Sequence, residues 1–232
     1  MRINKYLALH NYATRRGADE LISKGKVFLN GSPAQLGDQV EEGDTVEVKT
    51  PKKKKAYRYV VYYKPKGVIT HSPSEDEVDI REALIDNSEL VGLFPIGRLD
   101  KASSGLIILT DDGRITDRLL NPDKEHDKEY RVRTTQRLRD SFKKHMEAGV
   151  EIEGYTTKPA KIRLVNDNTF FITLTEGKRH QIRRMVVAMH NEVAELVRTR
   201  ILNIKQAGLK PGEYRVIQGD ELQEFLEKLS LA

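Results

Sequence analysis

The rhythm of apolar and polar positions changes about a quarter of the way along the chain. Ile3, Tyr6, Leu7 and Leu9 recur at helical spacing and predict a helix over 2–9. Ala18, Leu21 and Ile22 predict a second over 14–24, with Thr14 as its N-cap and Gly25 as its stop. Lys26-Val27-Phe28-Leu29 reads as a short strand. Asn30-Gly31 is the tightest hairpin signal in the chain, because both positions tolerate positive φ. Gly43-Asp44 then turns into a strand at 45–48.

From Tyr57 onward strand-like runs dominate. They are predicted at 57–63, 93–96, 106–110, 129–135, 160–166, 169–174, 194–198 and 214–217. Helices are expected at 79–86, 114–120, 137–148, 179–189 and 220–229. The two types interleave without regular βαβ units, which predicts an α+β fold with a mixed sheet. Between the two regimes stand Pro51 and four consecutive lysines, Lys52 to Lys55. Adjacent like charges repel and resist packing, so 51–56 reads as an exposed linker between a small domain, 1–50, and a larger one, 57–232.

Composition changes this picture in three ways. There is no cysteine, which removes disulfides, thiol nucleophiles and Cys-rich zinc sites, and is compatible with a cytosolic protein. The six His are scattered with no pair one helical turn apart, so no metal site is expected. Met1 to Tyr12 mixes Arg2, Asn4, Lys5 and His10 with apolar residues. Neither a secretory signal nor a membrane span is expected. The net charge is +5, and residues 1–56 hold 11 Lys and Arg against 7 Asp and Glu. Four of those 11 are the linker lysines; Arg15, Arg16, Lys24 and Lys26 lie in the small domain, where they suit either a polyanion or solvent.

The segment with the most chemistry is "FPIGRLDKASSGLIILTDDG", 94–113. An apolar strand ends at Gly97, another begins at Leu106, and a polar loop joins them. A loop anchored between buried strands is held firmly, as a catalytic group must be. Asp100 is its odd charge. A carboxylate flanked by Arg98 and Lys101 stays ionised and can serve as nucleophile or base. From composition alone a turn-capping role fits it as well. Asp111-Asp112, an adjacent acidic pair, reads as a turn before the helix at 114 rather than as a nuclease metal site.

Resemblance separates these readings. "TRRGADELISKGKVFLNG", 14–31, resembles the αL RNA-binding domain of a small-subunit ribosomal protein and of several RNA-modifying enzymes. "GRLDKASSGLIILTDDG", 97–113, resembles the signature of the pseudouridine synthases that modify a single site in ribosomal RNA. "YYKPKGVIT" at 62–70, "KEYRV" at 128–132 and "EGKRHQIRRM" at 176–185 match three further motifs of that family in the expected order. The resemblance spans nearly the whole chain. It implies an αL domain followed by a synthase domain with a mixed, mainly antiparallel sheet.

It also implies an activity and roles. The glycosidic bond of a uridine breaks, the uracil turns over, and ring carbon five joins the sugar. Nothing is oxidised or transferred, so no cofactor is expected. Asp100 would be the essential aspartate and Arg98 would take part in flipping the base. Tyr130 would lie against the uracil and help move the proton from carbon five. Arg183 would pair with Asp100 and orient it, and Ile182 would pack beneath the base. Lys178, Arg179 and Arg184 would meet phosphate at the rim. The expected partner is ribosomal RNA, met by a monomer in the cytoplasm. The alternative is an RNA-binding assembly factor without activity.

Two positions depart from the family. Leu202 stands where a glycine usually follows Arg-Ile, which puts the local backbone there in doubt. Ser103 stands where threonine is common. "TTKPAKIRLV" at 156–165 and "LKPGEYRVI" at 209–217 look most like the small-subunit enzyme, so one uridine of small-subunit (16S) RNA is the expected target, with large-subunit RNA as the alternative.

Overall fold

The computed structural model describes residues 1–10, 12–49, 56–70, 79–80, 82–84 and 87–231. Two compact units emerge. One comprises Met1–Tyr57 with Asp112–Asp117, the other Arg58–Asp111 with Arg118–Ala232. The lysine run expected as a linker lies outside the described residues.

In the first unit, α1 (Ile3–Leu9) and α2 (Arg15–Ser23) precede β1 (Val27–Leu29), β2 (Ser32–Pro33) and β3 (Val46–Val48). The strands form an antiparallel sheet in the order β2-β1-β3. The Thr14 hydroxyl accepts the N–H of Gly17 at 3.1 Å, the N-cap bond expected of it. Asn30 and Gly31 close the hairpin at φ 50° and 80°. Asn30 fastens it further, donating to Asp44 at 2.8 Å and accepting from the N–H of Thr45 at 2.9 Å. Ile3, Leu7, Ala18, Ile22, Val27, Ala34 and Val40 make the core. Burying a large aliphatic side chain contributes about 1.5–3 kcal/mol, so a few such contacts hold a module this small.

The second unit begins with β4 (Tyr59–Lys64), β5 (Phe94–Ile96) and β6 (Ser104–Thr110). Next come α3 (Arg114–Leu120), which starts among residues grouped with the first unit, β7 (Lys128–Thr134) and α4 (Phe142–Ala148). The chain continues through β8 (Glu151–Ile152), β9 (Tyr155–Thr156), β10 (Lys161–Asn166), β11 (Thr169–Leu174) and α5 (Gln181–Ala188). It closes with β12 (Val193–Ile201), β13 (Ile204–Lys205), β14 (Tyr214–Val216) and α6 (Gly219–Lys228). The main sheet runs β10-β11-β7-β12-β6-β4-β14, with β5 on β6 and β13 on β12. Its pairings are antiparallel except β12 with β6.

That architecture matches the expected α+β fold and mixed sheet. Val132, Phe170 and Ile172 of the sheet pack with Phe142 and Met146 of α4 and Ile182, Met185 and Val186 of α5. A second cluster joins Val60, Tyr62, Ile107 and Leu109 to Ile80, Leu84, Leu90 and Leu93. β4 and β6 are buried on both faces, which is why they read as continuous apolar runs. No helix among the described residues is long and apolar enough to cross a membrane.

Some predicted bounds move. The helix expected over 79–86 is not formed at its start. Asp79 bridges Ile69, and its carboxylate caps a 3-10 turn at Glu82–Leu84; residues 81, 85 and 86 lie outside the described set. The helix expected over 137–148 begins only at Phe142, because the Leu138 N–H is taken by the Asp167 carbonyl at 2.6 Å. β6 starts earlier than expected and β12 runs longer at both ends.

Candidate active site

One row of residues crosses four strands. Lys64 of β4 stands opposite Gly105 of β6, Gly105 opposite Arg198 of β12, and Arg198 opposite Tyr130 of β7. Facing cross-strand positions share one side of a sheet. Gly105 is what lets the row close. A Cβ there would lie 2.4 Å from the Arg198 carbonyl oxygen and 2.7 Å from its nitrogen, and its φ is +105°. Only glycine combines that approach with that backbone.

Asp100 sits in the loop between β5 and β6, next to this row. Five consecutive carbonyls of the loop each receive a donor. Arg198 Nη1 reaches Arg98 O at 3.3 Å, and the Thr70 hydroxyl reaches Leu99 O at 2.9 Å. Ser103 N–H donates to Asp100 O at 2.9 Å, and Gly67 N–H to Lys101 O at 2.8 Å. Arg183 Nη2 donates to Ala102 O at 3.0 Å. Thr70 also accepts the Leu99 N–H at 3.1 Å, bracketing the residue before the aspartate. The backbone is thus fixed while the carboxylate stays 38% exposed, open to a ligand.

The surroundings are cationic. Lys64 is fully buried, its ammonium donating to the carbonyls of Val68 at 2.6 Å and Pro65 at 2.8 Å. Burial, then the nearby Arg198 charge, lowers its pKa to about 8, and Asp100 opposes that shift. His180 Nε2 lies 3.6 Å from Asp100 Oδ1.

The remaining candidates fall into three groups. Tyr130 is half-buried and packs against the hydrophobic cluster of which Ile182 is a member. Arg98, Lys178 and Arg179 are exposed, with the Lys178 ammonium 5.1 Å from the centre of the Tyr155 ring. Arg15, Arg16, Lys24 and Lys26 are exposed in the first unit, Lys24 beside Glu20 at 3.6 Å.

Such a site, a rigid loop with an open carboxylate over a buried basic row, suits acid–base or nucleophilic work on a polyanion. Residues 58–188 match the family model described as RNA pseudouridylate synthase, and residues 1–46 match the S4 domain. The chain belongs to the RNA pseudouridylate synthase family. The dual-specificity RNA pseudouridine synthase RluF of Escherichia coli O6:H1 is 39% identical over 231 residues, covering 98% of this chain and 79% of that one. An RNA pseudouridine synthase of Bacillus subtilis, YtzG, is 35% identical, covering 96% and 97%. A pseudouridylate synthase crystal structure superposes with TM-score 0.70 at 28% identity, covering 99% of both chains.

Within this synthase two expectations need correction. Arg183 does not pair with Asp100. Besides Ala102 O it reaches Ser103 Oγ at 3.3 Å, because its position on the first turn of α5 faces the far end of the loop. Arg184 is not open at the rim, since its Nη1 pairs with Glu153 at 2.6 Å. Sequence patterns did not single out Lys64, Thr70, His180 or Arg198. Lys64 and Arg198 carried a signal, each being a charge within an apolar strand run, and His180 lay inside the 176–185 motif. Thr70 carried none.

Leu202 occupies the turn between β12 and β13 at φ 51°, the left-handed backbone that glycine favours. Its side chain is 9% exposed, so burial offsets the strain.

Proposed function

We propose that this synthase isomerises uridine in ribosomal RNA, with Asp100 as the carboxylate that attacks or deprotonates the sugar. The observation that carries the proposal is the loop around Asp100, whose five bonded carbonyls hold the backbone while the carboxylate remains accessible. Preorganisation of this kind is worth much of a catalytic rate. The carbon–nitrogen glycosidic bond breaks, the uracil rotates, a carbon–carbon bond forms from ring carbon five, the proton on that carbon leaves to solvent, and the freed ring nitrogen takes up a proton, so the product is an isomer of the substrate. Tyr130 stacks on the base and relays that proton. Ile182 supports the base from below, and Arg98 fills the space of the flipped nucleotide. Arg183 acts on the loop, and Lys178 and Arg179 meet phosphate.

The first 50 residues grip backbone phosphate through Arg15, Arg16, Lys24 and Lys26, and the lysine-rich 51–56 tethers them to the catalytic domain. The protein acts as a monomer in the cytoplasm, where ribosomal RNA is made accessible. For the target, likeness to the dual-specificity RluF enzymes favours large-subunit RNA over the small-subunit uridine expected from the sequence.

The test is tritium release from RNA labelled at uracil carbon five. Wild type should release tritium from large-subunit RNA and Asp100→Asn should release none. Release from small-subunit RNA alone would reverse the target. Binding without release from either would turn the reading to an assembly factor.

A further inference from the structure

Arg198 is a guanidinium in the interior of a sheet, 4% exposed. Burying a cation costs several kcal/mol unless acids and acceptors compensate it. No acidic side chain is in ion-pair contact with it among the described residues. Its Nε donates to Leu106 O at 2.7 Å and its Nη1 to Arg98 O at 3.3 Å, while its buried Nη2 has no partner among the described residues. Its positive neighbours make matters worse, for the Arg198 charge is felt by both Lys64 and Lys128. An apolar residue would serve β12 at lower cost, since such replacements are often neutral or stabilising.

Its two acceptors explain why it is there. Arg98 and Leu106 flank the loop that carries Asp100, one on the way in and one on the way out. We infer that Arg198 is a positioning residue, tying the loop at Arg98 to β6 at Leu106 so that Asp100 is held in place. The inference rests on the proposed role of Asp100 and deepens it. Arg183 holds the same loop at its far end, so two arginines from separate elements divide the task. Gly105 is required for this, because any side chain there would drive β12 and its arginine away from the loop.

The test uses the full chain with Arg198→Met and Arg198→Lys. Each is measured for tritium release under steady state and for amide hydrogen exchange. In Arg198→Met kcat should fall about 100-fold, as a displacement near 1 Å does, with KM within about threefold. Exchange should quicken over residues 98–106 and stay unchanged where β7 pairs with β11. Arg198→Lys, able to reach one carbonyl, should fall between. A folded Arg198→Met with kcat within about threefold of wild type overturns the inference, as does loosening spread over the whole sheet. Failure of both variants to fold also overturns it, by making Arg198 a folding requirement. If wild type itself releases no tritium, the proposed function falls, and exchange over 98–106 still decides the role of Arg198.

Discussion

The Arg183 guanidinium passes Asp100 and bonds Ala102 O at 3.0 Å, leaving His180 as the one basic side chain within ion-pair distance of the carboxylate among the described residues. The two basic side chains therefore do different things. His180 and Asp100 form a half-exposed pair, and such pairs contribute about 0–1 kcal/mol. His180→Ala should lower kcat by less than about fivefold. Arg183→Ala removes a bond to the loop and should cost roughly 100-fold in kcat. Steady-state tritium release on both variants checks this, and equal losses would contradict it.

Lys64 sets a pH dependence. Its folded pKa, about 8, lies below its ordinary 10.5, so the unfolded chain binds more protons between these values. Stability from this group therefore rises with pH from about 8 to 10.5, by on the order of 3 kcal/mol, and below pH 8 the cost of burying the charge is fully present. Wild type should gain melting temperature over that window relative to Lys64→Met. Activity should move the other way, falling as Lys64 discharges above about pH 8 and Asp100 loses a positive neighbour. A flat rate profile to pH 10 would exclude this role.

Gly105→Ala should be among the most damaging single changes. The added carbon meets backbone 2.4 Å away, and φ +105° strains any side chain. The expected loss is at least about 3 kcal/mol in urea unfolding, above the 0.5–3 kcal/mol of an ordinary substitution.

Leu202→Gly should not be a repair, although glycine is the residue the turn prefers. Relief at φ 51° returns about 1–2 kcal/mol, while a buried leucine contributes about 1.5–3. Urea unfolding should show a net loss near 1 kcal/mol. A gain would mean the leucine packs poorly.

Arg15→Ala with Arg16→Ala should weaken RNA binding and flatten its salt dependence by about one for each phosphate no longer neutralised. Titration of binding between low and physiological salt reads this directly. An unchanged slope would remove the first helix pair from the RNA interface.

Local rules made much of this legible. Thr14, Asn30-Gly31 and the alternation in β7 and β11 place their elements from neighbours in sequence. The motifs pointed to Asp100, Tyr130 and Ile182 as candidates. What stayed hidden depends on distant pairing. Nothing near Arg198 says that it faces Gly105, 93 positions earlier in the chain, or that its donors end on Arg98 and Leu106. The start of the helix expected at 137 failed similarly, since the Asp167 carbonyl that claims Leu138 comes from another loop. Arg183 was misassigned because a motif names a residue without the rotamer that chooses between two nearby acceptors.

The parallel seam between β12 and β6 has a consequence for how the enzyme comes into being. β4 and β6 can pair early, and β7 can join β11 soon after, but nothing binds these halves until β12 arrives. Synthesis at about 5–20 residues per second puts Arg198 roughly 10 s behind Lys64. Through that interval the nascent chain has its first unit made while the Asp100 loop still lacks the bond from Arg198. A chain halted before Val193 should bind RNA and release no tritium. The bonding of the Asp100 loop is thus completed by the last strands made.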